Sequence, residues 1–170
     1  MARITSQHAG GANVVAFLDM LAWSEGTSTS PATKDDGYDV IVTGSDRMPE
    51  IFTDYSVHPF SRGRKSKVIN GKGLTSNASG RYQFMLKDYA HYRAQLQLPD
   101  FGPISQDRWA IQLIRERRAL PLIQTGRIPE AIAAVRNIWA SLPGAGYGQF
   151  EHKLDSLLAE YRKAGGTLVS

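Results

Sequence analysis

The chain is 170 residues long, 42% hydrophobic and 21% charged, an ordinary globular composition and enough for one sizeable core. It has no cysteine, which excludes a disulfide scaffold and a Cys-ligated zinc, and its four histidines, His8, His58, His91 and His152, lack close metal-type spacing. A formal charge of +4 with a pI near 9.4 suits nucleic acid, an anionic membrane face or an anionic polymer such as bacterial wall, without choosing among them.

Residues 1–12 are polar and Gly-containing, and a loose tail is expected there. They carry no secretory signal: the nearest apolar run, Val14 to Ala22, is interrupted by Asp19 and lacks a charged front and a small-residue cleavage site. No stretch is long enough to span a bilayer. The expectation is one domain over 1–170, with room for two lobes, made in the cytoplasm without stable membrane insertion. A substrate elsewhere would require a separate route of release.

The first helix is expected over Asn13 to Ser24, with Asn13 as N-cap and Gly26 as stop. Val14, Leu18, Leu21 and Glu25 follow the rhythm of a single helical face, so the face that enters the core ends in a carboxylate. Apolar neighbours (Leu21, Trp23) and the negative end of the helix dipole both disfavour the charged form of Glu25. Raising a Glu from about 4.3 to about 6–7 costs roughly 3 kcal/mol, which a folded domain can supply. Glu25 is therefore predicted to be the proton donor of an enzyme. Spacing alone favours the plainer reading, a Glu at a frayed helix end reaching into water.

Residues 26–36 read as an exposed loop. Gly37–Thr43 and Glu50–Tyr55 read as two short strands of a small hairpin or sheet, joined through Ser45–Pro49. Residues 56–80 show no periodicity, and Arg62, Arg64, Lys65, Lys67 and Lys72 share an eleven-residue window without an acid. Such a connection is either a solvated loop or a lid that touches substrate. The chain is expected to be helical from 81 onward, with Met85, Tyr89, Tyr92 and Leu96 on one face. Ser105 is the expected N-cap of a helix to Arg118, with Ala110, Leu113, Ile114 and Arg117 on one side. Pro121 implies a break or kink and Gly126 a stop. Pro129 suits a first turn, ahead of Ile132, Val135 and Trp139 in register with Ile128. A loop over Pro143–Gly148 precedes a last helix from Gln149 to Ala164, with Phe150, Leu154, Leu157 and Tyr161 inward. Strands early and helices late argue for an α+β fold.

Of the six glutamates, Glu25 alone has local reasons to hold a proton near neutrality. Glu116 and Glu160 have basic neighbours, Glu130 and Glu151 sit at expected helix starts where the dipole favours the anion, and Glu50 is solvated beside a loop. Most glycosidases pair a proton donor with a second carboxylate. Asp35, Asp36, Asp39 and Asp54 are candidates, with Asp35 and Asp36 better read as loop solubilisers. Gln83, in Gly80-Arg81-Tyr82-Gln83, offers the donor and acceptor that an N-acetyl group needs, although a core Tyr with a surface Arg explains that tetrad as well. In Pro143-Gly144-Ala145-Gly146-Tyr147-Gly148-Gln149, three glycines let backbone approach a ligand while Tyr147 is presented; a strained turn closed by Tyr147 fits equally. There is no phosphate-loop, dinucleotide or Ser/His/Asp pattern.

These stretches together resemble the bacteriophage lambda endolysin family, peptidoglycan lytic transglycosylases of lysozyme-like fold. The resemblance rests on Phe17–Thr27, Gly37–Val42, Phe52–Ser56, His58-Pro59, Gly80–Gln83 and the long run Asn137–Lys153, and extends over about Ala16 to Gly166. It implies a mostly helical lobe, a small β lobe and an active-site cleft between them, flanked by loops at about 58–75 and 142–149. It implies that Glu25, in the Ser-Glu-Gly position, is the catalytic acid; Tyr38, Asp39, Tyr55, Gln83, Tyr147 and Gln149 are the residues expected to contact substrate. The implied reaction cleaves the β-1,4 bond between N-acetylmuramic acid and N-acetylglucosamine and forms a 1,6-anhydro product, without metal or cofactor. The implied partner is the peptidoglycan glycan strand and not nucleic acid, reached from the host cytoplasm when a separate holin releases the enzyme to the wall. Ser45–Pro49, the basic loop after His58 and the N-terminal tail look longer than the family pattern. A hydrolytic lysozyme with Asp39 or another acid activating water is the nearest alternative; a non-catalytic wall- or nucleic-acid-binding module is a more distant one, and would tolerate Glu25→Gln and weaken steeply with salt.

Overall fold

A computed structural model describes residues 1–148 and 150–169. The elements in chain order are α1 (Ser6–Ala9), α2 (Ala12–Ser24), β1 (Val40–Ile41), β2 (Glu50–Ile51), β3 (Lys67–Val68), β4 (Thr75–Ser76), α3 (Leu86–Leu96), α4 (Pro103–Glu116), α5 (Leu120–Gln124), α6 (Ile128–Val135) and α7 (Leu154–Lys163). The fold is α+β, as expected. Two compact units form, one from residues 1–25 with 107 onward, the other from residues 26–106. Among the described residues no helix is long and apolar enough to cross a membrane.

The first unit is built around α2, which packs against α1, α5 and α7. Val14, Phe17, Leu18, Leu21 and Ala22 are wholly enclosed, and Ala16 and Met20 nearly so. Burial therefore runs around most of the helix, the mark of a core helix rather than a surface one. Gly11, not Asn13, occupies the cap position. Asn13 lies one residue inside, where its Oδ1 accepts the backbone N–H and the hydroxyl of Thr167 and ties down the C-terminal segment.

The tail expected to be loose is ordered. Ala2 and Ile4 are buried. Asp19 accepts the Ala2 N–H at 2.6 Å, and Asp107 accepts the N–H groups of Arg3 and Ile4, each at 2.8 Å. Two carboxylates thus satisfy backbone donors that a tail would otherwise leave to water. Thr5 caps α1 by accepting the His8 N–H.

Helix α4 begins two residues before the expected cap. Asp100 takes the capping role, accepting the Gly102 N–H and the Ser105 hydroxyl through one oxygen, so Ser105 sits inside the first turn. Trp109, Ala110 and Ile114 are buried, Leu113 is half-buried and Arg117, beyond the helix end, is exposed. Pro121 opens α5 rather than breaking a longer helix, and Pro129 lies in the first turn of α6 as expected. Gly126 ends α5 at φ +77°; a Cβ there would lie 2.8 Å from Thr167 O and Val169 N, so the returning C-terminal strand of chain requires glycine. Ile128, Ile132, Val135 and Trp139 are buried, although Trp139 lies past the end of α6.

Helix α7 starts at Leu154, five residues later than expected. Leu157 and Tyr161 point inward, but Phe150 is 76% exposed and Leu154 lies at the surface. The segment before the helix is held by hydrogen bonds of Glu151 and His152 instead.

In the second unit β1 and β2 pair antiparallel, Val40 with Ile51 and Ile41 with Glu50. Each strand is shorter than its β-prone run. A second hairpin, β3 with β4, lies inside the stretch read as structureless, pairing Lys67 with Ser76 and Val68 with Thr75. Asn70 builds its turn by accepting the N–H groups of Lys72 and Leu74. Helix α3 begins at Leu86 rather than 81, because residues 79–84 form a tight bend with mutual Ser79–Phe84 pairing. His58 is wholly buried against Phe60, Tyr89 and Phe101. Its Nδ1 accepts the Phe60 N–H, so Nε2–H donates to Phe84 O at 2.9 Å. That pattern is the neutral tautomer, and burial lowers the His58 pKa accordingly.

Candidate active site

Helix α2 delivers Glu25. Its apolar burial fixes the helix, and the Glu25 N–H closes the last turn on Leu21 O at 2.9 Å. Glu25 is half-buried, and that burial pushes its carboxyl pKa from the ordinary 4.5 up to about 7. A hydrogen bond from the Ser141 hydroxyl to Oε1, 2.5 Å long, opposes that rise without cancelling it. Desolvation wins because one donor replaces only part of the water a carboxylate loses. The half-burial and the Ser141 bond speak against a Glu25 that reaches freely into water.

The surroundings come from far along the chain. Ser24 Oγ lies 2.8 Å from Ser141 Oγ. His152 Nε2–H donates to the Ser24 carbonyl at 3.1 Å, and the His152 backbone N–H donates to the Ser141 carbonyl at 2.8 Å. The imidazole packs on Trp23 at a centroid distance of 4.5 Å and meets Phe150 edge-on at 4.9 Å. Ser24, Ser141 and His152 are functional candidates that the sequence reading missed. No local spacing could have found Ser141, which is 116 residues from Glu25.

The glycine-rich turn follows Ser141. Glu151 holds it by accepting the N–H groups of Gly144 and Gly146, both at 2.8 Å, which keeps its carboxyl below the usual range. The anion is thus favoured as expected, but by two amides rather than by a helix start. Tyr147 is 57% exposed and donates its hydroxyl to Asn137 O; it does not close the core. Gln149 lies outside the described residues.

The remaining candidates belong to the second unit. Tyr38 is fully buried, edge-on to Tyr82, with the Arg81 guanidinium 5.0 Å from its ring centre. Asp39 is 4% exposed and accepts the Thr33 hydroxyl at 2.5 Å and the Lys34 N–H at 2.9 Å. Both expectations of substrate contact are corrected: Tyr38 is a core ring, and the Asp39 carboxylate organises the 33–39 turn. Tyr55 is half-buried and donates to Asp35 Oδ2. Gln83, also half-buried and at φ +55°, spends one amide hydrogen on Gly80 O. Arg81 is buried rather than at the surface, and pairs with the Asp36 carboxylate at 2.9 Å and with the Asp36 carbonyl. Asp35 and Asp36 are therefore braces, not mere solubilisers. The basic window draws acids from outside itself: Arg62 pairs with Asp54, Arg64 with Glu50, and Lys67 with Glu50 and Asp46. Beside it, Phe52, Asp54, Val57, His58, Arg62 and Arg64 help line a cavity of about 210 Å³.

With Glu25 and its partners placed at the end of a core helix, comparison with known proteins decides the family. A family model described as Endolysin matches residues 15–168. The chain belongs to the endolysin family. The endolysin of Escherichia phage P2 is 65% identical over 154 residues, covering 91% of this chain and 93% of that protein. The endolysin of Escherichia phage lambda is 56% identical over 154 residues, covering 90% and 91%. The solved structure of bacteriophage lambda lysozyme complexed with a chitohexasaccharide superposes with a TM-score of 0.84 at 53% identity, covering 99% of this chain and all of that one. A second solved structure of lysozyme from bacteriophage lambda gives 0.79 at 52%, with the same coverage. The fold of this endolysin-family chain is thus lysozyme-like, as its resemblance implied.

Proposed function

We propose that this endolysin is a peptidoglycan lytic transglycosylase, cleaving between N-acetylmuramic acid and N-acetylglucosamine once a separate holin releases it from the host cytoplasm to the wall. The observation that carries this reading is the half-buried Glu25 at the end of α2 with the Ser141 hydroxyl on one of its oxygens; burial pushes its pKa up to about 7, which suits a general acid. The chitohexasaccharide bound by the lambda relative supports a glycan as ligand.

In the proposed cycle Glu25 gives its proton to the bridging glycosidic oxygen as the C1–O bond breaks. The C6 hydroxyl oxygen of the same muramoyl residue then attacks C1, and its proton returns to the Glu25 carboxylate. Atoms balance with no water consumed, and the acid is regenerated in its starting form. One carboxyl suffices because substrate supplies the nucleophile. Asp39, one base that a hydrolytic route could use, has both oxygens engaged by Thr33 and Lys34, which disfavours it in that role. Exposed Tyr147 and Phe150 offer ring faces to sugar.

Glu25→Gln is expected to abolish release of muropeptides from purified peptidoglycan while binding to the polymer and folding survive. Mass spectrometry of wild-type products is expected to find 1,6-anhydromuramoyl ends. Reducing ends, one water heavier, would replace this reading with hydrolysis, and full lysis by Glu25→Gln would remove Glu25 from the chemistry.

A further inference from the structure

We propose that Ser24 and Ser141 are positioning residues that assign unlike roles to the two oxygens of Glu25, and that His152 is the clasp holding both serines in place. The inference rests on Glu25 being the acid, but it holds for either fate of the sugar cation.

The direction of the hydrogen bonds carries the argument. A serine hydroxyl has one hydrogen to give. Ser141 gives its hydrogen to Glu25 Oε1, so the short contact between the two hydroxyls must be donated by Ser24. The chain runs one way, from Ser24 to Ser141 to Oε1. An oxygen receiving that bond is the carbonyl oxygen of the neutral acid, which leaves the proton on Oε2. After transfer the bond from Ser141 strengthens, because its acceptor has become an anion. The same frame then receives the returning proton on Oε2, and the carboxyl has no need to rotate between the two transfers.

Nothing in α2 alone sets the distance between Ser24 and Ser141. His152 does so with two donors, its ring to the Ser24 carbonyl and its backbone N–H to the Ser141 carbonyl. Trp23 and Phe150 hold the ring itself. A contact from Nε2 to a carbonyl needs a hydrogen on Nε2, which the imidazolium and the matching neutral tautomer both provide. Ser24 is 5% exposed, so water cannot readily stand in for its hydroxyl.

The test uses the full-length protein on purified glycan strands, with Ser141→Ala, Ser24→Ala and Ser141→Thr. Ser141→Ala is expected to lower kcat on the order of 10- to 100-fold, the loss of one hydrogen bond to a charged group, with KM changed less than about twofold. It is also expected to move the alkaline limb of the kcat/KM profile to higher pH, because the donor that favours the Glu25 anion is gone. Ser24→Ala should move the limb the same way by less, and Ser141→Thr should restore both rate and limb. A merely structural serine would change melting without moving the limb. An unmoved alkaline limb in a folded Ser141→Ala protein overturns the proposal. If that variant does not fold, an unmoved limb in Ser24→Ala overturns it. An inactive Glu25→Gln beside a normal Ser141→Ala sinks only this inference, whereas an active Glu25→Gln sinks the reading beneath it.

Discussion

At the scale of one residue, Glu25 shows how a fold sets a catalytic charge state. The main chain places it at the end of α2, and the packed helix leaves no choice but to carry the carboxyl out of water. The raised pKa is also a cost to stability, with a definite sign. A carboxyl whose folded pKa lies above its ordinary value favours folding below 4.5, and that advantage is lost as pH rises through about 7. Above that pH the ionised group costs up to about 3 kcal/mol relative to a neutral side chain of the same shape. Glu25→Gln should therefore melt several degrees higher than wild type at pH 8, and about level with it at pH 5. Calorimetry at the two pH values checks this without reference to catalysis. Equal melting temperatures at pH 8 would mean that the carboxyl is better solvated than its surroundings suggest. Glu25 was legible in the sequence because its helix face and the helix end are local properties. Its partners were not, since Ser141 and His152 reach it only through tertiary folding.

At the scale of the element, spacing served the helices well and the loops poorly. Leu18 and Leu21, Ile128 and Ile132, and Leu157 and Tyr161 were legible because a buried face must recur every three or four residues. Strands β3 and β4 escaped because Lys67-Val68 and Thr75-Ser76 lack alternation, and Asn70 supplies the turn with a side-chain oxygen. The start of α7 was misplaced because Phe150 looks like a core residue but stands in solvent. The turn before it owes its shape to Glu151 rather than to its glycines alone. Those glycines permit positive φ at 144 and 146, but two hydrogen bonds to one carboxylate select that conformation. Glu151→Ala should leave the fold intact and loosen the presentation of Tyr147. The expected signature is a KM raised on the order of 3- to 10-fold with a smaller change in kcat, as for lost uniform binding. Michaelis kinetics on soluble glycan strands measures it. An unchanged KM would show that the turn takes no part in binding.

At the scale of the whole molecule, the titrating groups set two different boundaries on one pH axis. The upper boundary is chemical. Wild-type activity should fall as pH rises through about 7, because the proton donor empties. The lower boundary belongs to the fold. His58 is buried as the neutral tautomer with both ring nitrogens engaged, and burial lowers its pKa. A depressed histidine pKa gives stability that is fully present above the ordinary value of about 6.5 and is lost as pH falls from there through the folded pKa. Carboxylates such as Asp54 and Glu130, held below their usual range, add their losses only at more acid pH. Between about pH 6.5 and 5 the loss at His58 runs against the gain from Glu25, so it is read as the difference between wild type and a variant without the imidazole. Replacing His58 by Gln keeps a side-chain donor for the Phe84 carbonyl and removes the titration. Whatever its absolute melting temperature, this variant should gain stability relative to wild type as pH falls through that interval, with the alkaline limb of activity unmoved. Calorimetric scans of the two proteins at closely spaced pH values decide the matter. A melting-temperature difference between the two proteins that stays constant over the interval would assign the acid boundary to other groups, and a shifted alkaline limb would mean that His58 acts on the chemistry as well.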